Sequence, residues 1–501
     1  MTRPPLATDA LVSTLVSALV SALVSTLVSI LLLAGAASPA AATEIVVTPS
    51  FPAVFTGGPP ADPALEGSMT VTAESDGPLT PLMPPPWLQQ EDATTWFTVF
   101  LWDENAPRVA RFVDAARDTH EVVFAPEPRL PYDPAAHALA VLSIDTPAAN
   151  LWDAEIGIYA WGNHQNFLQR GEAWERPATL TYRDASGAMV FSEPIGLRIN
   201  GESSRAYAQK GLRLYFDDYG ASDWVEHDFF GDGPVRCERL VLRGNAYADF
   251  ALSSGLAEPL HHDLGHPGSR WAYVAVYLNG EYWGAYSLRE RFDDRWVETT
   301  HDWADDDYVV IKDHEAVEGD YGQWEDLLAG CQPPGDFASH AWFQWLDGQL
   351  DIDSYVDWLL INACGETADN MAGKNLAILR LGGDRFRWMT WDEDILYQVA
   401  NRDADHFSFY AAGDAAEFFL HEPPAWHSGG PWDFTFAWNN LLRAGMQNAE
   451  FKARFRQRAA SLLAGPLGVD ALEARLDALM AIQAPEWENH QQRWPYTTSY
   501  L

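Results

Sequence analysis

From His137 to about Phe216 the chain alternates apolar and polar positions with the two-residue period of half-buried strands. Ala138–Ile144 reads as one strand. Thr179–Arg183 and Met189–Phe191 flank Asp184-Ala185-Ser186-Gly187, a hairpin signal. Ile195–Ile199 and Gly211–Phe216 are two more strands around a loop at Asn200–Lys210. A helix is predicted over Tyr247–Leu264. Tyr273–Leu278 and Tyr282–Leu288 are joined by Asn279-Gly280, a pair suited to the positive φ angles of a type I′ turn. From about Ser354 the apolar period lengthens to that of helices, at Tyr355–Ala363, Asn439–Met446, Phe451–Leu463 and Gly468–Ile482. One strand pair, Leu376–Leu381 and Phe386–Trp391, turns at Gly382-Gly383-Asp384. The order is β-rich, then mixed, then helical. That predicts an α+β fold with a mainly antiparallel sheet in the first half and helices in the second.

The pattern breaks at the amino terminus. Residues 11–36 are an apolar run with a four-residue echo, preceded by Arg3 and followed by small residues to Ala42. A charged start, an apolar centre and an Ala-x-Ala end make a secretory signal over residues 1–42. The run is longer than the roughly 7–15 residues of a usual signal core, so an uncleaved membrane anchor is the alternative. Either way the body is expected to be exported to the periplasm, the cell surface or beyond. Residues 43–95 are rich in Pro, Gly, Thr and Ser and carry the breaker Met83-Pro84-Pro85-Pro86, so they read as linker with a short strand or two. Residues 96–130 alternate again and suggest a small β module. The division is thus a leader, a linker with a β module to residue 136, and a main domain over 137–501.

Composition narrows the function classes. With 47% hydrophobic residues and 22 Trp in 501 residues, the chain can bury a large core. The net charge of −39 repels nucleic acid and anionic membranes and attracts cations and basic partners. Three cysteines, Cys237, Cys331 and Cys364, form no CxxC pair, so a zinc ribbon is excluded and at most one disulfide can form.

Two stretches can carry chemistry. Asp369-Asn370-Met371-Ala372-Gly373-Lys374-Asn375 is followed by a strand pair and then by Trp391-Asp392-Glu393-Asp394. Phosphoryl transfer needs a carboxylate to orient the acceptor hydroxyl, and an amide oxygen and a carboxylate to hold Mg²⁺. Asp, then Asn, then Asp after a hairpin supplies them in the order protein kinases use. The Asp-to-Asn step here is six residues, against about five in kinases. The bland alternative is a turn Asp, an Asn cap and an acidic strand end. The second stretch, Gly196-Leu197-Arg198-Ile199-Asn200-Gly201-Glu202-Ser203-Ser204-Arg205 leading to Lys210, gathers cations and backbone N–H groups that could cradle a phosphate; a hairpin turn with surface charges is the alternative. Glu290, in Arg289-Glu290-Arg291, is a candidate partner for Lys210. His261-His262-Asp263 with His266 lacks the spacing of a zinc site and suits a helix end. No Gly-x-Ser-x-Gly elbow supports a serine hydrolase.

These residues resemble the CotH family of atypical protein kinases. Leu151–Tyr159 looks like the start of the family pattern, followed by Glu175-Arg176-Pro177. Gly196–Gly201 with Ser203-Ser204-Arg205 and Lys210 is similar to the family's Arg-x-x-Gly-x-Ser-Ser-Arg stretch and its downstream lysine. Leu242-Arg243-Gly244-Asn245 with Asp249, Val276–Gly284 with Glu290, Asp369, Lys374-Asn375 and Trp391–Asp394 follow in order. The resemblance covers roughly residues 137–480. It implies a two-lobed, kinase-like fold that binds ATP and Mg²⁺ and phosphorylates serine in proteins. It makes Asp369 the catalytic Asp, Asp392 the metal ligand with Asn375 and Asp394 assisting, and Lys210 the phosphate lysine with Glu290 as partner. Ser204 and Arg205 fall on the nucleotide loop, and Tyr308–Lys312 on the lobe connection. The sequence departs from the family at Ala208-Gln209, where a proline usually precedes the lysine, and at the apolar Met371-Ala372-Gly373.

The expectation is therefore an exported, Mg-dependent kinase acting on a basic, Ser-rich protein, without nucleic acid and touching a membrane only through an uncleaved leader. Two rivals stand beside it. One is an envelope structural or binding protein on a kinase-like scaffold. The other is a glycan-active enzyme, which paired acids and many Trp would suit.

Overall fold

The computed structural model describes residues 45–50, 69–75, 80–81, 89–90, 95–100, 108–113, 117 and 119–124. It also describes 133–494 apart from 208, 218, 221, 245–251, 302, 304–306, 314, 368–369, 371–373, 395, 398–405 and 415–435. The leader, the breaker at Pro84-Pro85-Pro86, Asn245, Asp249, the first residues of the predicted Tyr247–Leu264 helix, most of the acidic run after Asp302, and Asp369 lie outside the described residues. The chain divides into two compact units, residues 1–48, 71–98 and 107–124, and residues 49–70, 99–106 and 125–501.

The amino-terminal strands are β1 (Ile45–Ser50), β2 (Met69–Ser75), β3 (Thr80–Pro81), β4 (Gln89–Gln90), β5 (Thr95–Phe100), β6 (Arg108–Val113) and β7 (Thr119–Phe124). They form two sheets, β1-β2-β5-β4 and β3-β6-β7. Strand β6 alternates as its sequence requires, with Ala110 and Phe112 buried and Arg111 exposed.

The larger unit begins with β8 (Ala140–Asp145), the short helix α1 (Ala148–Trp152), β9 (Arg176–Arg183), β10 (Met189–Asn200) and β11 (Gly211–Tyr215). Next come β12 (Val225–His227), β13 (Val235–Cys237), β14 (Arg239–Arg243), α2 (Leu252–Asp263), β15 (Trp271–Leu278) and β16 (Glu281–Glu290). Seven of these strands close into a barrel in the order β10-β11-β14-β16-β15-β8-β9. All its pairs are antiparallel except β8 with β15. Closure removes the exposed edges that an open sheet would present. Leu197, Leu214, Leu242, Val276 and Leu288 fill the interior. The β15–β16 hairpin turns at Asn279 and Gly280 with φ of 52° and 76°, as the Asn-Gly pair predicts. Asn279 also accepts a hydrogen bond from the Thr146 amide at 2.8 Å, which ties the turn to the end of β8. The expected strands at 189–191 and 195–199 are one continuous strand, because Pro194 sits where β9 and β10 still pair.

The remaining chain holds α3 (Asp294–Thr300), β17 (Tyr308–Lys312), β18 (Glu315–Glu318), α4 (Gly322–Ala329), α5 (His340–Gln349) and α6 (Ile352–Cys364). After these come β19 (Ala377–Leu381), β20 (Arg387–Met389), α7 (His406–Ala411), α8 (Asn440–Gly445), α9 (Ala449–Leu463) and α10 (Val469–Arg493). The expected helices are present, but a second sheet, β18-β17-β19-β20, is built among them. Tyr308–Lys312, taken from the resemblance as a lobe connection, is instead a strand of that sheet, paired with β18 and β19. Asp293, Asp351 and Asn448 cap α3, α6 and α9 through their side chains, satisfying amides that the first helical turn leaves open. Trp324, Trp358, Trp388 and Trp438 pack ring against ring in the core below, each at most 3% exposed. Losing one such ring typically costs about 3–5 kcal/mol. These Trp residues build a core and not a sugar-binding strip. The fold is thus mixed α+β, as expected, with the first-half sheet closed into a barrel. All three cysteines are free. Among the described residues no helix is long and apolar enough to cross a membrane.

Candidate active site

Strand alternation sends Leu240 and Leu242 of β14 into the barrel, and so turns Arg243 to the opposite face. Arg243 lies across from Ser287, and Val241 across from Arg289. On that face Arg289 donates to both carboxylate oxygens of Glu258 on α2, at 2.7 and 2.8 Å, with both side chains buried. The pair locks α2 to the barrel wall, and such a bond is strong because it is charged and two-pronged.

The strand β20 delivers the acids. Trp388 goes into the core, and Thr390, which is also buried, leads to Trp391 and Asp392. Asp392 has φ of 60°, a left-handed conformation uncommon for a residue with a side chain. The Asp392 and Asp394 carboxylates converge on a single nitrogen, Nη2 of Arg243, with the Asp394 oxygen at 2.6 Å. Burial works against ionisation of Asp392, but the Arg243 guanidinium outweighs it and holds the carboxyl below its usual range. Glu393, between them, turns inward. It is fully buried and accepts from Asn362 of α6 at 3.2 Å, and its other oxygen has no hydrogen-bond partner. Burial, reinforced by Glu258 and Asp392, pushes this carboxyl well above its usual pKa.

Asn370 is held against this strand end. Its buried amide donates to the carbonyl of Trp391 at 2.8 Å and to that of Asn375 at 3.2 Å. Asn375 has φ of 51°, so the backbone turns sharply as the loop enters β19. Beneath Trp391 the Lys312 ammonium sits 4.4 Å from the indole ring and donates to the Phe292 carbonyl at 2.6 Å. Burial lowers the Lys312 pKa to about 7.

Among comparisons with known proteins, the family model described as CotH kinase protein matches residues 197–500. The chain belongs to the CotH kinase family. None of the curated proteins matches it. The match starts after the Leu151–Tyr159 segment and spans the barrel from β10 onward, the second sheet and the carboxy-terminal helices.

In this CotH-family chain the expected metal ligands Asp392 and Asp394 come together, and Asn370 ties the Asn375 backbone to the residue before Asp392. Asp369 lies outside the described residues. The expected phosphate loop is arranged otherwise. The Lys210 ammonium is 1% exposed and donates to the carbonyls of Arg205 and Tyr207 at 2.8 and 3.0 Å, over the ring of Phe167. Arg205 is also buried, and its guanidinium donates to the carbonyls of Gly201, Phe167, Gln169 and Ile199. Ser204 stands beside Gly201, whose φ of 110° and lack of a Cβ make room for the Ser204 hydroxyl. The pairing of Lys210 with Glu290 is not formed. Glu290 takes Arg270 on both oxygens, at 2.8 and 3.2 Å, and the Thr300 hydroxyl at 3.0 Å. Position along the strand explains the miss: Tyr286 is the residue of β16 whose hydroxyl reaches the Lys210 carbonyl, at 3.1 Å, and Glu290 lies four residues further on, about 13 Å along the strand, whereas Arg289 faces α2. Sequence reasoning quoted Arg243, Asn370 and Glu393 without a role and passed over Glu258. The one available signal was an arginine closing a strand in so acidic a chain.

His261 and His266 stack 4.5 Å apart, but His261 faces the Ser354 carbonyl and His266 faces Asp357. Among the described residues no group of three or more His, Cys, Asp or Glu is arranged to hold a metal. Mg²⁺ commonly takes one or two carboxylates plus substrate phosphates. Two hard oxygen donors meeting at one cation, as Asp392 and Asp394 do at Arg243, fit that need.

Proposed function

We propose that this CotH-family protein is a two-lobed phosphotransferase that moves phosphate from ATP to serine hydroxyls of an exported protein. The observation that carries the reading is the convergence of the Asp392 and Asp394 carboxylates on one cationic nitrogen at the end of β20. Family membership supports it. Bound there, Mg²⁺ would neutralise charge on the phosphates and orient them.

The chain's own residues do the rest. Asp392 and Asp394 would hold the metal, with Asn375, whose carbonyl accepts from Asn370, assisting. Arg243, which faces both carboxylates, is the cation that would stand beside the phosphates. Glu258 fixes Arg289 on the same wall. Glu393, buried between these acids in sequence, accepts from Asn362 of α6 and braces the strand end. Asp369 orients the acceptor hydroxyl. The chain's net charge of −39 favours a basic substrate, and the apolar leader favours export.

One observation favours a second reading, a scaffold without catalysis. The backbone-bound Lys210 and Arg205 are not presented to a nucleotide. Mg-ATP separates the two, because a ligand bound only by the folded state raises its apparent stability. A rise in melting temperature with Mg-ATP, absent with ATP plus chelator, together with phosphate incorporation into a basic Ser-rich protein, supports transfer. No thermal shift and no incorporation would establish the scaffold.

A further inference from the structure

A cavity of about 420 Å³ opens between the loop that follows α2, the end of α3 and the β19–β20 hairpin. Arg243, Asp392, Asp394 and Asn375 are not among its lining residues. Its size suits a small ligand.

Its lining runs against the charge balance of the chain. Acidic residues outnumber basic ones 71 to 32 in the chain. Here Arg270, Arg385 and Arg387 line the wall, against Asp232 and Asp384. Glu290 and Asp232 pair with Arg270. Arg385 is held more loosely, 3.5 and 3.7 Å from Asp351 and Asp347. Arg387 meets Asp384 at 3.2 Å, but its Nε stands 4.0 Å from the nearest carboxylate.

Three lining residues carry buried nitrogens with no hydrogen-bond partner: Trp296 Nε1, His301 Nε2 and Arg387 Nε. Trp296 is 4% exposed, and the His301 ring stands edge-on to it at 4.6 Å. A buried donor without an acceptor is unfavourable, so the Trp296 and Arg387 N–H groups, with His301 Nε2 in the tautomer that carries its proton there, call for acceptors. Leu379 and Leu381 give the cavity an apolar side. A carboxylate brings two oxygens; a phosphate monoester brings three terminal oxygens and suits the arginine fork.

We propose that this cavity is a second, non-catalytic binding site for a phosphate monoester, with Arg385 and Arg387 as its cations and Trp296 and His301 as further donors. The same chemistry could arrive as free phosphate or on a phosphorylated serine. The site is independent of the Asp392 centre.

The test is calorimetric titration and thermal shift on the full chain, without nucleotide or metal, using inorganic phosphate, O-phosphoserine and serine as probes. O-phosphoserine is expected to bind and raise the melting temperature, and serine to do neither. Affinity should fall at least tenfold in the Arg385→Ala/Arg387→Met double variant and in His301→Phe, which keeps a ring against Trp296, and should persist in Asp392→Asn. Phosphate binding as well as O-phosphoserine shows that the free anion suffices; O-phosphoserine alone identifies a phosphorylated side chain. Absence of binding by both phosphate probes, equal binding of serine, unchanged affinity in both cavity variants, or loss in Asp392→Asn each overturns the proposal.

Discussion

Two parts of the larger unit hold cations on fixed partners, one buried and one partly exposed, with opposite results. At the β10–β11 connection Arg205 donates to four backbone carbonyls, and Lys210 to two more. At the end of β20, Arg243 meets two side-chain carboxylates. A backbone carbonyl is a fixed dipole that cannot leave without unmaking the chain path. A carboxylate pair is an ionic site that another cation can take over. The first arrangement builds a wall; the second can exchange partners, which metal-dependent chemistry requires.

The sharpest way to break this comparison is at Asp392. Asp392→Asn is expected to lower phosphate transfer by about 10³-fold or more while the protein stays folded, measured as phosphate incorporation alongside circular dichroism. Transfer retained near the wild-type rate would remove the metal role. The next effect is on stability. Arg205→Met leaves four carbonyls without their donor and should cost roughly 3–5 kcal/mol in urea unfolding, the range for breaking a buried charged network. Little change there would mean that the loop is held by something else.

Lys210→Met keeps most of the volume and removes two hydrogen bonds, for a loss of about 1–3 kcal/mol. Transfer per folded molecule should be unchanged. A variant that is stable yet inactive would restore Lys210 to the phosphates. The smallest effect is on pH dependence. The Asp392 carboxyl has a folded pKa below its unfolded value of 3.8, so its contribution is present above that value and lost as pH falls through the folded one. For a pair this exposed the contribution is on the order of 1 kcal/mol or less. The melting difference between wild type and Asp392→Asn should therefore be present near pH 6 and shrink below about pH 4; a constant difference would show that Arg243 does not stabilise the charged form.

Much of the fold was legible in order. The alternation at 179–183 and 195–199, the Asn279-Gly280 turn and the helical spacing of 355–363 each became the element they predicted, because local periodicity and turn chemistry agreed with burial. The Asp369–Asn375 and Asp392–Asp394 stretches stood out in the sequence because their spacing is local, and of their acids the structure brings Asp392 and Asp394 together at Arg243. The partners were not legible. Arg243 lies 149 residues from Asp392, and Glu258 meets Arg289 across 31 residues. Glu290 and Arg289 are neighbours, and only register decides which faces α2.

By itself the sequence determined an α+β chain with a strand-rich first half, a helical second half, a strongly acidic charge and acids in the order that kinases use. The tertiary structure decided that the sheet closes, that Arg205 and Lys210 turn inward onto carbonyls, and that Arg243 stands between Asp392 and Asp394. The reason is geometric. Period and composition act over a few residues, whereas the direction of a side chain and its charged neighbour are set by strand register and by which faces the folded chain brings together.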